Sequence, residues 1–465
     1  MAASDPQRMK NKIIPVIMPV LVSCCLGPTL VVSTGAQQCN VQPVEYKGWQ
    51  AQQISNASVR LTLVPQLGGR LMQVEFDGHS YLFVNPKFEG KYIPPEQAAG
   101  RWINYGGDKL WPMPEGNEDE AHWVLESDTL DDRPYAFKVL EQGVRCTVEL
   151  AGPADQTTGL QYTRQITLET SSPAIHFHAV MHNATSHTLQ WSVQSVSQYN
   201  LASAKPSGGH NRDFWAYTSA NSSSAYLGGF HVRSGLVDDP SFSLKDGLFR
   251  LHWMYLQNEV WIDSTAGWLA VADGESGFGM IERFTYDASA NYPDKAAVIF
   301  YKNGPSVEFN AAGDPELSSR GPEETPYYME AEINSPLVTL PAGASTSFDT
   351  AWFPLRTTSD VKRVTEAGIV TQRLHACEDK SELKLTGAFS VVVPGHLQLR
   401  IYSTGGREAK RAELDEAGPD RPVNLNRNIA VDFPIGRVAL HLIDASGSDW
   451  GLLDEAAIEE APAEN

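Results

Sequence analysis

The sequence predicts an all-β protein with a large antiparallel sandwich followed by a small β-sandwich. Short runs of alternating apolar and polar residues recur between turn residues, which is the pattern of half-buried strands. No long stretch between Gln38 and Phe353 shows an apolar stripe with the helical period of 3.6 residues. The 37 glycines and 29 prolines supply the residues that many turns require. Many strands without intervening helices favour antiparallel sheets over an alternating α/β fold.

The alternating runs divide the chain into regions. Residues 58–64 form a clear run that ends at Pro65, and residues 69–76 form a second run before an Asp-Gly turn. Further runs cover residues 79–84, 161–169, 174–182, 189–199, 267–272, 297–301, 327–333 and 346–353. Runs resume after residue 384, beyond a stretch that reads as a linker or short helix. The predicted regions are a signal segment at 1–36, a large sandwich at 45–357, a linker or short helix at 358–383, a small β-sandwich at 384–453 and an acidic, frayed tail at 454–465.

The N-terminal region has the composition of a secretory signal. Arg8, Lys10 and Lys12 precede an apolar run over residues 13–32, and Thr-Gly-Ala ending at Ala36 is a suitable cleavage site. The apolar run is long enough to span a bilayer, so an uncleaved anchor is an alternative. A sequence ending at Cys24 resembles a lipoprotein processing site, so lipidation is a further alternative. We predict export to the periplasm or the extracellular space, with membrane contact only through this segment.

Charge and cysteine content exclude several classes of protein. The formal net charge is −20, from 56 acidic and 36 basic residues, which disfavours binding to nucleic acid. Beyond the predicted signal, Cys39, Cys146 and Cys377 are scattered without metal-ligand spacing, so we expect no disulfide framework and no cysteine-based metal site. A single disulfide stays open as an alternative. The nucleotide, hydrolase and metalloprotease motifs that we sought are absent, and we expect no metal and no other cofactor.

Residues 101–123 concentrate aromatic and polar side chains in a stretch that lacks strand alternation. They comprise Trp102, Tyr105, Trp111 and Trp123 together with Asn104, Asp108, Lys109, Glu115, Glu118 and His122. Paired glycines and a Pro-x-Pro sequence indicate a structured loop. Sugars present apolar C–H faces and many hydroxyl groups, so their sites combine aromatic rings with carboxylates, amides and cations. The stretch therefore predicts a carbohydrate site, and the alternative is a loop that packs on its own aromatic side chains.

Side chains alternate between the two faces of a strand, so residues two apart in sequence share a face, and three predicted strands have several polar residues on one face. These faces consist of Tyr328, Glu330 and Glu332 in residues 327–333, of His176, His178 and His182 in residues 174–182, and of Gln190, Ser192, Gln194 and Gln198 in residues 189–199. Carboxylates and imidazoles in such positions can act as acid and base. Each face can equally be an ordinary solvated surface.

Several of these segments, taken in order, resemble the galactose-mutarotase-like (aldose-epimerase-like) superfamily. The matching segments are residues 64–70, 82–86, 104–112, 162–168, 191–196 and 335–352, within a resemblance that covers residues 50–355. The most specific is Gly-Gly-Asp-Lys-Leu-Trp-Pro at 106–112, and the chain is most similar to a bacterial family of unknown function that carries it. The resemblance implies a supersandwich that binds a pyranose on its concave face.

Mutarotases of this superfamily open the sugar ring with a histidine acid and a glutamate base. By position, the resemblance implies His176 or His178 as the acid and Glu330 or Glu332 as the base. The surrounding segments do not copy the mutarotase catalytic motifs, which favours binding over catalysis.

We therefore expect an exported protein that binds a mono- or oligosaccharide in a mutarotase-like cleft, and whether it also catalyses a reaction stays open. The predicted binding residues are Arg70, Asn104, Tyr105, Asp108, Lys109, Trp111, His122 and Gln194. An aldose 1-epimerase-type isomerase or a related sugar-active enzyme is one alternative, and a structural cell-envelope protein is another. Convergence of Asp108, Lys109, one of the two histidines and one of the two glutamates in one pocket would favour the enzyme. Burial of the tryptophans away from any cavity would favour the structural protein.

Overall fold

The computed structural model describes residues 38–119, 121–126, 128–379 and 381–460. The predicted signal segment and the last five residues of the predicted tail lie outside the described residues. Within the described ranges, no helix is both long and apolar enough to cross a membrane.

Strands account for most of the regular structure. The first are β1 (Asn40–Tyr46), β2 (Trp49–Ser55), β3 (Val59–Val64), β4 (Arg70–Phe76), β5 (His79–Ser80), β6 (Asp108–Met113), β7 (Ala136–Glu141), β8 (Arg145–Ala151), β9 (Leu160–Glu169), β10 (Ile175–Asn183) and β11 (Leu189–Asn200). They are followed by β12 (Phe214–Ser219), β13 (Phe230–Ser234), β14 (Phe242–Lys245), β15 (Leu248–His252), β16 (Asn258–Ile262), β17 (Trp268–Asp273), β18 (Phe278–Phe284), β19 (Val298–Lys302), β20 (Val307–Phe309), β21 (Pro315–Leu317), β22 (Tyr328–Asn334), β23 (Val338–Leu340) and β24 (Ser345–Arg356). The last are β25 (Arg363–Thr365), β26 (Gly368–Asp379), β27 (Glu382–Val391), β28 (Gly395–Ser403), β29 (Glu408–Ala417), β30 (Val423–Ala430), β31 (Ile435–Asp444) and β32 (Asp449–Glu460).

The helical elements are short. Two α-helical turns, α1 (Pro95–Ala98) and α2 (Thr129–Asp132), lie between β5 and β7. Within the described residues, three 3-10 turns cover Pro86–Phe88, Leu227–Gly229 and Pro293–Lys295. The predicted all-β class is confirmed.

Two large antiparallel sheets pack face to face. The first sheet has the strand order β1-β2-β3-β4-β6-β11-β22-β19-β16-β13, with β5 beside β4 and β23 beside β11. The second sheet has the order β14-β15-β12-β17-β18-β24-β10-β9-β8-β7. One apolar core lies between them, with Met329 and Ile333 from the first sheet and Ile166 and Phe177 from the second among its members. The predicted large antiparallel sandwich is confirmed.

A third sheet covers the outer side of the second. Its order is β29-β28-β31-β32-β26-β27-β30, with β25 beside β26. Its apolar residues, such as Phe389 and Leu440, form a core with Ala270, Ile281 and Phe353 of the second sheet. The predicted small C-terminal β unit is therefore present, packed against the large sandwich.

Two predictions about the C-terminal region are wrong. The linker or short helix expected at residues 358–383 instead forms β25 and β26, because Ile369, Val370 and Leu374 are buried in the core of the third sheet. The tail expected from residue 454 continues as β32 as far as residue 460. Asp454 is buried and accepts hydrogen bonds from Arg373 and from the backbone N–H of Leu374, which holds this end of the chain in place.

A disulfide joins the two large sheets. Cys39, directly before β1, is bonded to Cys146 on β8, across 107 residues of sequence. This is the single disulfide that the sequence left open, and Cys377 is a free thiol. A cross-link over so long a loop limits the conformations of the unfolded chain and thereby stabilises the fold.

Candidate functional site

The candidate site lies on the side of the first sheet that points away from the core, here called the outward face. On β22, Met329, Ala331 and Ile333 enter the core, so Glu330 and Glu332 between them project outward. The strand register extends the face across β6, β11, β22, β19 and β16. It places these residues on the outward face: Lys109, Trp111, Gln194, Gln198, Glu259, Tyr301, Glu330 and Glu332.

Hydrogen bonds connect the polar side chains of this face. Lys109 Nζ lies 3.1 Å from Glu330 Oε1, and Gln198 Nε2 donates to the same oxygen over 2.7 Å. Gln194 Nε2 donates to Glu332 Oε2 over 2.5 Å. The structure thus brings together four of the predicted site residues, Lys109, Gln194, Glu330 and Glu332, from three adjacent strands.

Tryptophan rings surround the Lys109 ammonium group. Lys109 Nζ is 4.2 Å from the centre of the Trp111 ring and 5.6 Å from that of Trp102, distances at which a cation is attracted to the ring face. The indole N–H groups of both tryptophans donate to Asp131 of α2. Trp111 is almost completely buried, and Asp131 holds its ring against the lysine. Its role in this arrangement is to support Lys109.

The outward face is covered by a loop formed by residues 114–119 and 121–126. Backbone hydrogen bonds from Gly116 to Trp123 and from Trp123 to Pro114 close the base of this covering loop. Farther out, Glu118 forms an ion pair with Arg233 on β13, the edge strand of the first sheet. The loop therefore extends from β6 to the far edge of the sheet, which explains why so few atoms of Glu330 and Glu332 reach solvent.

Burial changes the protonation of the carboxyl groups under the loop. It raises the pKa of Glu115 to about 8, helped by the negative charges of Glu259 and Glu330. It also raises the pKa of Glu332 well above its usual value and that of Glu259 to a smaller extent, with Glu330 adding to both. The positive charge of Lys109 acts in the opposite direction on Glu115 and Glu332, but it does not cancel the rise in their pKa values. Protonated carboxyl groups on this face can donate as well as accept hydrogen bonds.

Three site residues come from strands to which the sequence analysis assigned no site. Glu259 and Trp261 project from β16, where the Trp261 indole donates to the Glu259 carboxylate. Tyr301 projects from β19, directly opposite Glu330 in register. The signal that could have located them is alternation in residues 258–262, where Glu259 and Trp261 share parity and Val260 and Ile262 enter the core.

Two predicted binding residues have other places in the fold. Asp108 points into the core, where it forms an ion pair with Arg164 of the second sheet. The sequence predicted a loop here, but Asp108–Met113 forms a central strand that is buried on both faces. Neighbouring residues of a strand point to opposite faces, so Asp108 and Lys109 point in opposite directions. Arg70 is fully buried, 2.7 Å from Asp131, and also donates to the Gly106 carbonyl. Its contacts tie β4 to α2 and to the Gly106 backbone, beside the tryptophans that Asp131 also holds.

The remaining predicted binding residues lie around the outward face and not among its hydrogen-bonded side chains. Tyr105 is buried, and its hydroxyl accepts a hydrogen bond from the Ile93 backbone. Asn104 accepts from the Gly106 backbone and also bonds Tyr328 at the end of β22, so it lies at the rim of the outward face. His122 lies on the covering loop, 2.8 Å from Asp119.

The two histidines predicted as catalytic lie on the other side of the molecule. His176 and His178 alternate on β10 with Ile175 and Phe177, which enter the core, so the histidines project from the outer side of the second sheet. They line an open groove of about 500 Å³, where His178 Nδ1 lies 2.6 Å from Asp349. The expected pairing of these histidines with Glu330 or Glu332 is therefore wrong. The local sequence shows which residues share a face of one strand. It does not show which sheet the strand joins, because that depends on pairing with strands far away in the chain.

Among the residues that the structure describes, no group of three or more His, Cys, Asp or Glu side chains is arranged to hold a metal ion.

Comparison with known proteins finds solved structures that are similar to this chain. No protein-family model matches the chain, and no curated protein matches it. A galactose mutarotase-like protein from Clostridium acetobutylicum is 10% identical over 69% of this chain and 99% of that chain, with a TM-score of 0.43. A candidate aldose 1-epimerase from Klebsiella pneumoniae is 13% identical over 69% of this chain and 84% of that one, with a TM-score of 0.47. A TPR-domain protein from Parabacteroides distasonis is 13% identical over 68% of this chain, with a TM-score of 0.43, and the chain spans 53% of its length. With TM-scores below 0.5, these likenesses do not by themselves assign a family.

Proposed function

We propose that this protein binds a carbohydrate on the outward face of the first sheet. The observation that carries the proposal is a set of five polar side chains on three adjacent strands, in which Lys109 and Gln198 bond Glu330 and Gln194 bonds Glu332. Sugar hydroxyl groups donate and accept hydrogen bonds at closely spaced positions, and amides and carboxyl groups on neighbouring strands can match that pattern. The proposal includes membership of the galactose-mutarotase-like superfamily and of the bacterial family that shares residues 106–112.

The charges of the face favour a neutral ligand. Four carboxyl groups, those of Glu115, Glu259, Glu330 and Glu332, influence one another there, and Lys109 forms an ion pair with Glu330. A phosphate or another anion would be repelled by such a surface. Since raised pKa values keep part of the cluster protonated, its groups can bind the hydroxyl groups of an uncharged sugar.

Access to the face requires movement of the covering loop. The Glu330 side chain is only 7% exposed. The ion pair between Glu118 and Arg233 ties the loop to β13, and both of its side chains are partly exposed to solvent, where such pairs are weak. We propose that the loop opens at this pair and that the ligand then binds the face that the opening exposes.

A glycan array followed by calorimetry tests the proposal. Wild-type protein is expected to bind at least one glycan, and Glu332→Ala to weaken that binding at least tenfold, because a group that contacts the ligand is lost. Glu382→Gln, on the exposed surface of the third sheet, is the control and should bind as the wild type does. Absence of any glycan ligand for the wild type would refute the proposal.

A specific observation favours an aldose 1-epimerase-type isomerase as a second candidate. Glu330 is paired with Lys109, and burial raises the pKa of the neighbouring Glu115 to about 8, so Glu115 can hold a proton near neutral pH and give it up to a ligand. In such a reaction Glu330 would take the proton of the anomeric hydroxyl and Glu115 would give one to the ring oxygen. The bond between C1 and the ring oxygen breaks, and the aldehyde closes again on its other face.

Polarimetry decides between binding alone and isomerisation. Fresh α-glucose and α-galactose should approach rotational equilibrium faster with the wild type than with Glu115→Gln or Glu330→Gln. The pair His176→Ala and His178→Ala serves as the control and should keep the wild-type rate. A rate equal to that without protein, at high protein concentration, rejects the isomerase for these sugars.

We further propose that the protein is exported. The disulfide between Cys39 and Cys146 supports an oxidising compartment, such as the periplasm or the extracellular space. N-terminal sequencing of the protein from fractionated cells tests this. A mature chain that begins directly after Ala36 agrees with cleavage, whereas recovery of the intact chain from the cytoplasm contradicts export.

A further inference from the structure

We infer that the cavity on the other side of the covering loop is a second carbohydrate-binding site. Asp119, residues 122–124 and Glu126 of the loop form one wall, and the turns before β9 and β11 form the others. Its volume is about 500 Å³, within the range of roughly 300–1,000 Å³ that is typical of small-molecule sites. This site is separate from the outward face and does not depend on the ligand proposed there.

The lining of the cavity fits an uncharged, hydroxylated ring. Leu189 and the small exposed parts of the Trp123 and Trp191 rings provide apolar wall, while the exposed Thr157 and His187 provide hydrogen-bonding groups. Aromatic surface beside hydroxyl and imidazole groups suits the two sides of a pyranose, one formed by C–H groups and the other by hydroxyls.

Charge narrows the class of ligand. Three carboxylic residues, Asp119, Glu126 and Asp128, line the cavity, and the described lining contains no lysine or arginine. An anionic ligand such as a phosphate or a uronic acid would meet carboxylates without a compensating cation. A neutral sugar meets no such penalty.

Hydrogen bonds hold the lining in place without a ligand. The Trp123 indole donates to Asp128 over 2.7 Å, and the same carboxyl group accepts from the backbone of Asp131 at the start of α2. The Thr158 hydroxyl donates to Asp155 over 2.8 Å. A site whose side chains are already fixed loses little conformational entropy on binding, which favours affinity.

The cavity and the outward face share a structural element. The Trp123 ring is 5.1 Å from the Trp111 ring, which in turn contacts the Lys109 ammonium group. The covering loop therefore carries Glu115 on the side of the outward face and Trp123 on the side of the cavity.

The test uses an array of mono- to hexasaccharides of glucose, galactose, mannose and N-acetylglucosamine, with calorimetry on each glycan bound. Val124→Trp fills the cavity from its rim, since Val124 is 48% exposed and lines it. We expect Val124→Trp to weaken one set of binding events at least tenfold and to reduce the number of bound glycans per protein by one. Val144→Trp adds the same bulk at a residue that is 78% exposed and outside the cavity, and should bind as the wild type does.

Two further variants keep the result interpretable. Thr157→Val removes one hydroxyl group of the lining without added bulk and should weaken the same set of binding events, even if Val124→Trp folds poorly. Glu332→Ala, on the outward face, should leave this set intact. Binding that Glu332→Ala abolishes and both cavity variants leave unchanged would overturn the second site while supporting the first. Absence of any bound glycan would overturn both.

Discussion

The ammonium group of Lys109 on β6 lies 3.1 Å from the carboxylate of Glu330 on β22, with β11 between the two strands. Both side chains are more than nine-tenths buried. Coulomb attraction is stronger in so poorly hydrated a place, but each charge has also lost its hydration. Removal of one partner therefore leaves the other as an unpaired buried charge.

Lys109→Met should destabilise the protein by roughly 3–5 kcal/mol, the usual cost of breaking a buried ion pair from one side. Urea denaturation at pH 7 measures the change. The double variant Lys109→Met with Glu330→Gln removes both charges and should recover more than half of the loss. If Lys109→Met alone were as stable as the wild type, the ion pair would have to be hydrated in solution.

The raised pKa of Glu115 predicts a pH-dependent stability. Because its pKa is about 8 in the folded protein against 4.5 ordinarily, the folded state holds this proton more tightly than the unfolded chain does. The resulting stabilisation is complete below pH 4.5 and is lost as the pH rises through about 8. The free energy of unfolding should thus fall more steeply between pH 5 and 8 in the wild type than in Glu115→Gln. Glu45→Gln, on an exposed strand, should follow the wild-type curve, and equal slopes for all three proteins would contradict the assignment.

Arg70 should prove to be a structural residue. Arg70→Gln leaves Asp131 without its buried partner, and we expect a loss of stability of roughly 3–5 kcal/mol. Arg60→Gln, which breaks a largely exposed pair with Glu75, is the matched control and should have little effect on stability. If Arg70→Gln instead kept its stability and lost glycan affinity tenfold, the residue would be a ligand contact.

Loss of the disulfide should lower stability without changing the outward face. Replacing both Cys39 and Cys146 by serine is expected to reduce the free energy of unfolding by about 2–5 kcal/mol, because the unfolded chain gains conformational freedom. Cys377→Ser is the control, since that cysteine is free. Denaturation under non-reducing conditions gives the comparison, and identical midpoints for the double variant and the wild type would show that the cross-link does not form.

The ion pair between Glu118 and Arg233 should govern the opening of the covering loop. Arg233→Gln leaves global stability nearly unchanged, because the pair is exposed, but frees the far end of the loop. Limited proteolysis should then cut the loop faster, and glycan association should be faster as well. The double variant with Glu118→Gln should match the single one. Slower cleavage of Arg233→Gln than of the wild type would refute this role.

Local pattern was sufficient for much of the fold. On β9 and β10 one face is buried and the other is more open, so the alternation of apolar and polar residues is visible in the sequence. Parity also placed Glu330 and Glu332 on one face of β22. The pattern failed for β6, which is buried on both faces and therefore shows no alternation.

By itself, then, the sequence determined the all-β class, the faces of the half-buried strands and the shared parity of Glu330 with Glu332. Only the tertiary structure decided which strands became neighbours. It brought Glu259 and Tyr301 beside Glu330 and placed His176 on the opposite sheet. The physical reason is that side-chain direction along a strand follows from local backbone geometry, whereas sheet order is set by hydrogen bonds between residues far apart in the chain.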